Sequence, residues 1–393
     1  FLGLPGSPPA FVFDTMLSQV DQREQEPLSP EIPVSDVGTS SPSEDPSAVL
    51  DGFRILTTSY DKSVKLWCAR TKRCLWSFLG HSNCVMSAAA SPDGSKLLSA
   101  GYDGKAALWC LPCGRQIHEF RIRSHLGSGL LNGVYTACFA HRCWKVLTAS
   151  SDGYVRLWRL SDGSLEWALL AHPEGSARSA SFSPCETKLL TTSTDCTAKL
   201  FDAHTHQLLA VLKMHSGWVN TGVFSSSGDT LLTSSADRTA RLWSLEGWCW
   251  GAYIGHDHWV RSATFSHDDR LVVTSSSDWS AKLWDTRSFS CLRTFNGHEF
   301  WLTSAVFSMD DSVLLTASRD NTVRLWRVAD GECLQTIGRV WNEDESDGCH
   351  TDFVSSALLL ERPFPSSTNC GGYRSSHRSN QANGGQWQHG SRR

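Results

Sequence analysis

Seven copies of one twelve-residue signature run through this chain, and they leave few folds open to it. LTTSYDKSVKLW (56–67), LSAGYDGKAALW (98–109), LTASSDGYVRLW (147–158) and LTTSTDCTAKLF (190–201) are followed by LTSSADRTARLW (232–243), VTSSSDWSAKLW (273–284) and LTASRDNTVRLW (315–326). The closing aromatics are spaced by 42, 49, 43, 42, 41 and 42 residues. A period of that length marks one supersecondary unit that cannot bury its apolar residues alone, so neighbouring units must stack. Within each signature, apolar and β-branched residues flank a turn of small residues containing Asp, the pattern of two short strands joined tightly. Seventeen Trp against six Tyr and four Met among 393 residues is the compositional trace of the same repetition.

Four residue types hold fixed places in the unit. The turn carries Asp61, Asp103, Asp152, Asp195, Asp237, Asp278 and Asp320. Four residues before each stands a hydroxyl: Thr57, Ser99, Thr148, Thr191, Thr233, Thr274 and Thr316. Six residues after each stands Trp, except for Phe201 in the fourth unit. Upstream of six of these Asp comes His81, His125, His172, His215, His256 or His298, at a gap of 22 residues in four cases, 23 in one and 27 in the third unit. The longer gap is an insertion near 125–133, which reads as a loop.

With Gly-His at 80–81, 255–256 and 297–298 and Trp-Asp at 284–285, these residues resemble the WD40-repeat family over about 51–360. The resemblance implies an all-β, seven-bladed propeller with four-stranded blades around a central channel. It also implies a hydrogen-bonded chain of His, hydroxyl, Asp and Trp inside each blade. Donor and acceptor counts agree: indole donates once, hydroxyl and imidazole do both, and carboxylate only accepts. Phe201 has no N–H, so blade four should keep the packing and lack the last link. Seven Ser/Thr–His–Asp sets also look like hydrolase triads, but seven copies at scaffold positions argue for fold.

The first unit has no His before it. The missing piece stands at the other end, where HTDFVSSA (350–357) matches HDHWVRSA (256–263) and HEFWLTSA (298–305). Residues 351–360 are therefore expected to return as the innermost strand of the first blade, with His350 completing the set of Thr57, Asp61 and Trp67. Closure would leave the inner ring no free edge; a decaying eighth unit is the alternative.

Outside the repeats, residues 1–50 hold one Arg and eight acids, with Phe11-Val-Phe13 and Met16-Leu17 as apolar islands, and read as disordered. Ser29-Pro30 and Ser41-Pro42 could be phosphorylated. Residues 361–393 are low-complexity tail. The start at Phe1 suggests a fragment and shows no secretory signal. Residues 51–340 carry 30 Lys/Arg and 26 acids, too small an excess to argue for nucleic acid. Fourteen scattered cysteines read as intracellular thiols, cytoplasmic or nuclear.

No P-loop, nucleophile elbow or dinucleotide loop is present, so neither an enzyme nor a cofactor is expected. Cys110 and Cys113 lack a second pair for zinc, and His204/His206 and His256/His258 are weak metal candidates. What remains is surface. The resemblance implies that partners bind the face where the inner strands begin, and three positions per repeat point there. The third residue after His gives Cys84, Trp218, Trp259, Trp301 and Phe353, with Gly133 and Ser176 by alignment. The fifth gives Met86, Tyr135, Arg178, Asn220, Arg261, Thr303 and Ser355. The residue before the turn Asp gives Tyr60, Tyr102, Ser151, Thr194, Ala236, Ser277 and Arg319. Trp218, Trp259, Trp301, Phe353, Tyr60, Tyr102, Arg178, Arg261 and Arg319 are the candidate protein-binding residues, being the types that dominate interfaces. They imply a scaffold for proteins or peptides, monomeric within a larger complex. The alternative is an RNA-associated propeller with the tryptophans stacking bases and the arginines meeting phosphate.

Overall fold

Each signature folds as the two central strands of a four-stranded antiparallel sheet; in the first unit these are Arg54–Ser59 and Ser63–Cys68. A computed structural model describes residues 50–122, 133–140, 144–338 and 349–360. Within them, 28 strands form seven four-stranded sheets, the blades of a propeller. The expected disorder of 1–50 and 361–393, the serine-proline pairs, and His125 with its insertion concern residues outside that description, Leu50 apart. No helix among the described residues is long and apolar enough to cross a membrane.

The core lies between blades. Adjacent side chains on a strand point to opposite faces. Ile55 accordingly packs with Val313 and Leu315 of blade seven, whereas Leu56 packs with Leu97 and Trp109 of blade two. Seven such clusters fill the seven junctions. A sheet buried on both faces needs no polar side, which explains runs such as Leu-Leu-Thr-Ser-Ser, buried throughout at 231–235. Each fully buried Leu, Ile or Val contributes about 1.5–3 kcal/mol.

The ring closes as expected. Val354–Leu360 pairs antiparallel with Arg54–Ser59, placing Arg54 opposite Leu360 and Thr57 opposite Ala357. The returning strand packs between the inner strands of blade seven (Leu302–Phe307) and blade two (Val85–Ala90). Val354 and Ala357 enter the blade-seven junction; Leu358 and Leu360 enter the blade-two junction.

Two further regularities run round the ring. Hydroxyls bridge consecutive inner strands, with Ser179 accepting the Gly222 amide (3.1 Å), Thr221 that of Ala263 (3.3 Å), Ser262 that of Ala305 (3.2 Å) and Ser304 that of Ala357 (3.1 Å). On blades two and three, the matching hydroxyls of Ser87 and Thr136 are buried with no partner among the described residues. The residue after every turn Asp is left-handed, with φ between 66° and 78° at Lys62, Gly104, Gly153, Cys196, Arg238, Trp279 and Asn321. At Gly153 no other residue fits, because a Cβ would fall 2.1 Å from the His172 carbonyl oxygen.

Candidate protein-binding face

Inside five of the blades the described side-chain chain is continuous from Trp to Asp. In blade one, Trp67 donates to Thr57 Oγ1 (2.7 Å), which meets His350 Nε2 (2.7 Å), whose Nδ1 meets Asp61 (2.8 Å). Blades two, five, six and seven repeat it, as Trp243–Thr233–His215–Asp237 does at 2.8, 2.8 and 2.7 Å. Blade four keeps His172–Thr191 (2.9 Å) and His172–Asp195 (2.7 Å), and Phe201 is buried without the indole link. In blade three, Trp158 bonds Thr148 (2.9 Å), and Asp152 accepts from Ser150 Oγ (2.6 Å), the Tyr154 amide (3.2 Å) and both terminal nitrogens of Arg156 (3.1 and 2.6 Å). Arg156 is itself buried, an ion pair that the repeat pattern did not foretell.

These sets are packed rather than accessible, with every one of the seven hydroxyls at 1% exposure or less. Burial pushes the Asp61 carboxyl up, but the hydrogen bond and charge of His350 and two bonds from Ser63 outweigh it and hold the group well below its ordinary range. Burial pulls His350 down, which favours the neutral ring donating from Nδ1 to Asp61. Among the described residues no three His, Cys, Asp or Glu stand together as a metal site. His206 lies against Trp167 (4.6 Å) and His258 against Trp301 (6.1 Å).

The three positions per repeat assigned to the face come together at one end of the ring. In all seven blades the third-after-His carbonyl accepts the amide of the residue before the turn Asp, as Trp218 does from Ala236 (2.8 Å), Trp301 from Arg319 (2.9 Å) and Phe353 from Tyr60 (3.0 Å). The fifth-after-His residue lies at a register shift in the inner strand of every blade, so Arg178 and Arg261 belong to no cross-strand pair. A bulge re-aims its side chain and sharpens the local twist. No compositional signal marks these bulges; only strand pairing reveals them.

Aromatic rings run unbroken from blade five to blade one. Trp218 meets Trp259 (6.0 Å), His258 bridges Trp259 to Trp301 (5.5 and 6.1 Å), Phe300 stacks on Trp301 (5.2 Å) and Phe353 (6.1 Å), and Phe353 meets Tyr60 (6.0 Å). Tyr102 pairs instead with Tyr135 of blade three (5.3 Å), over Gly133. Arg261 lies over Trp259 (5.0 Å) and Trp301 (5.5 Å), Arg319 over Tyr60 (5.2 Å), Trp301 (5.2 Å) and Phe353 (5.5 Å), and Arg178 over Tyr135 (4.6 Å). Trp218 and Trp259 are 47% and 36% exposed, whereas Trp301, Phe353, Tyr60 and Tyr102 are half-buried. Phe300, His258 and Trp279 join the patch unforeseen; Trp279, the left-handed turn residue of blade six, stacks on Phe300 (6.3 Å) and is 48% exposed. They follow the repeat's fixed residues by one or two positions, where the unit itself imposes no residue type.

The profile described as "WD domain, G-beta repeat" matches residues 72–110, 163–202, 206–244, 247–285 and 289–327. The chain belongs to the WD40-repeat family. The WD40 profile misses the unit whose inner strand comes from the far end of the chain and the unit with the 27-residue His-to-Asp gap. Among curated proteins, this WD40 chain is 35% identical over 114 residues to "Nuclear distribution protein PAC1" of Komagataella phaffii, covering 28% of this chain and 23% of that protein. It is 36% identical over 103 residues to "Protein tipD" of Dictyostelium discoideum (26% and 16%) and 32% over 101 residues to "Apoptotic protease-activating factor 1" of Rattus norvegicus (26% and 8%). The chain thus spans less than a quarter of the length of these relatives.

Proposed function

We propose that this WD40 propeller is a non-enzymatic scaffold that holds proteins or peptides on the face where its inner strands begin, and so assembles complexes. The observation that carries the reading is the pair Trp218 and Trp259, exposed and in ring contact on adjacent blades and continuous with Trp301, Phe353 and Tyr60. Large rings that stay partly in water at a rigid rim give contact area at little entropic cost when a partner covers them. Arg178, Arg261, Arg319 and Tyr102 frame the same opening. The protein acts as a single propeller within a larger assembly inside the cell, in cytoplasm, nucleus or both. Its fourteen cysteines, scattered without the spacing of a disulfide framework, support that setting.

The test is affinity capture from cell lysate with mass spectrometry, comparing the parent with a Trp218→Ala/Trp259→Ala variant that melts at the same temperature. Trp301 is left intact because its ring is packed by His258, Phe300, Arg261 and Arg319. Loss of a defined partner set is the expected result. An identical partner set would refute this face as the binding site.

A further inference from the structure

Three arginines converge on the channel mouth with no acid paired to them among the described residues. Arg178, Arg261 and Arg319 each make one hydrogen bond within the described residues, to Asn220 Oδ1 (3.5 Å), Ser277 Oγ (2.8 Å) and Tyr60 Oη (2.8 Å). None of them has a carboxylate within 4.0 Å among the described residues. Some arginines elsewhere in the ring are paired, as Arg156 is with Asp152 and Arg327 with Asp330 and Glu332, while others, such as Arg241 and Arg324, have no carboxylate partner among the described residues; what distinguishes these three is that they gather on one face among aromatic rings. Burial, and then the charges of Arg319 and Arg178, pull the Arg261 guanidinium down to about 10, so Arg261 lies in the field of the other two and itself stays protonated at neutral pH. A guanidinium carries five donors, and most of these fifteen find no acceptor in the described chain.

We propose that the channel mouth is an anion-recognition site for an acidic peptide, whose Asp or Glu carboxylates meet Arg178, Arg261 and Arg319 while a neighbouring apolar side chain lies against Trp218 and Trp259. The inference rests on the reading of this face as protein-binding and names the chemistry of the partner. Each guanidinium lies over a ring of Trp259, Trp301, Tyr60 or Tyr135, and a guanidinium grips a carboxylate through two parallel bonds. A carboxylate also relieves the mutual repulsion of the three charges, a gain that a neutral peptide does not offer. The same stacking disfavours RNA. Trp301 already carries two stacked rings and two guanidinium groups, and Trp259 carries Arg261, so the ring faces that bases would need are largely taken.

The experiment is selection from a random-peptide display library on the full chain, followed by affinity measurement on the parent, on Arg178→Gln/Arg261→Gln/Arg319→Gln, and on Trp218→Ala/Trp259→Ala. Enriched peptides should be rich in Asp and Glu, bind the arginine variant at least about tenfold more weakly, and weaken as salt screens the contact. If the triple variant does not melt like the parent, the single changes Arg178→Gln and Arg319→Gln carry the comparison. Enriched peptides without acidic bias, or acidic ones indifferent to the arginine changes, would overturn the inference. If such peptides still needed Trp218 and Trp259, the protein-binding reading would stand alone. An empty selection together with unchanged lysate capture would remove both. Tighter binding of an oligouridine than of any selected peptide would overturn the acidic-peptide site in favour of RNA.

Discussion

His350→Ala should loosen the seam that joins the two ends of the chain, by roughly 4 kcal/mol. The imidazole is 3% exposed and bonds Thr57 Oγ1 at 2.7 Å and Asp61 at 2.8 Å. A neutral hydrogen bond contributes about 1 kcal/mol net and one to a carboxylate about 1.5–3 kcal/mol; the void left by the ring adds about 1 kcal/mol. Asp61 is not orphaned, since the Ser63 amide and hydroxyl and the Thr351 amide still donate to it, so the loss stays well short of that for an unpaired buried charge. The assay is urea unfolding followed by tryptophan fluorescence and circular dichroism, on the parent, His350→Ala, Asp61→Ala and the double variant. The coupling between the two sites should be about 1.5–2.5 kcal/mol, as for residues in one network. Acidity gives a second reading. The folded His350 titrates below its ordinary 6.5 because it is buried, so on acidification the unfolded chain takes up a proton that the folded one refuses. Its contribution is therefore complete above about pH 6.5 and is lost as pH falls below that, by at most about 1.4 kcal/mol per pH unit. Asp61, held below its ordinary 3.8, loses its contribution only further into acid, so the interval between about pH 7.5 and 5.5 isolates His350. The parent should lose more stability than His350→Ala across that interval. A destabilisation under about 1 kcal/mol, or coupling near zero, would refute the account of ring closure.

Two other stability predictions follow from single positions. Arg156→Met should destabilise blade three by about 1.5–3 kcal/mol, because partly buried Asp152 loses its cation but keeps the bonds from Ser150 and the Tyr154 amide, and adding Asp152→Asn should restore part of that loss in the same denaturation assay. Lys62→Gly and Arg238→Gly should each stabilise the protein by about 0.5–1 kcal/mol, since both residues are exposed and held at φ 73°, where an ordinary side chain is strained by about 1–2 kcal/mol and glycine is not. A lower unfolding midpoint for both variants would show that the left-handed turns carry no strain.

What lay in the sequence was everything that repeats within one unit. The hydroxyl, Asp and Trp stand within ten residues of one another, and the His of most units precedes its Asp by 22 or 23, so their bonding is local and recurs wherever the spacing does. Even closure was legible, because HTDFVSSA at 350–357 copies the inner-strand pattern of other blades and only the first blade lacked one. Phe201 announced its missing bond by its side chain alone. Tertiary structure decided strand register and side-chain direction, within units as well as between them. The bulges that free Arg178 and Arg261, the partnership of Arg156 with Asp152, and the hydroxyl bridges from blade to blade depend on strand register and side-chain direction, which no residue spacing encodes. Trp218 and Trp301 occupy the same place in their repeats, yet one stands in water and the other is enclosed by four neighbours. The repeat sets where each tryptophan sits on its blade; its exposure is set by the side chains around it, for Trp301 Phe300 and Arg319 of its own blade together with His258 and Arg261 of the adjacent blade, some forty residues away in the chain.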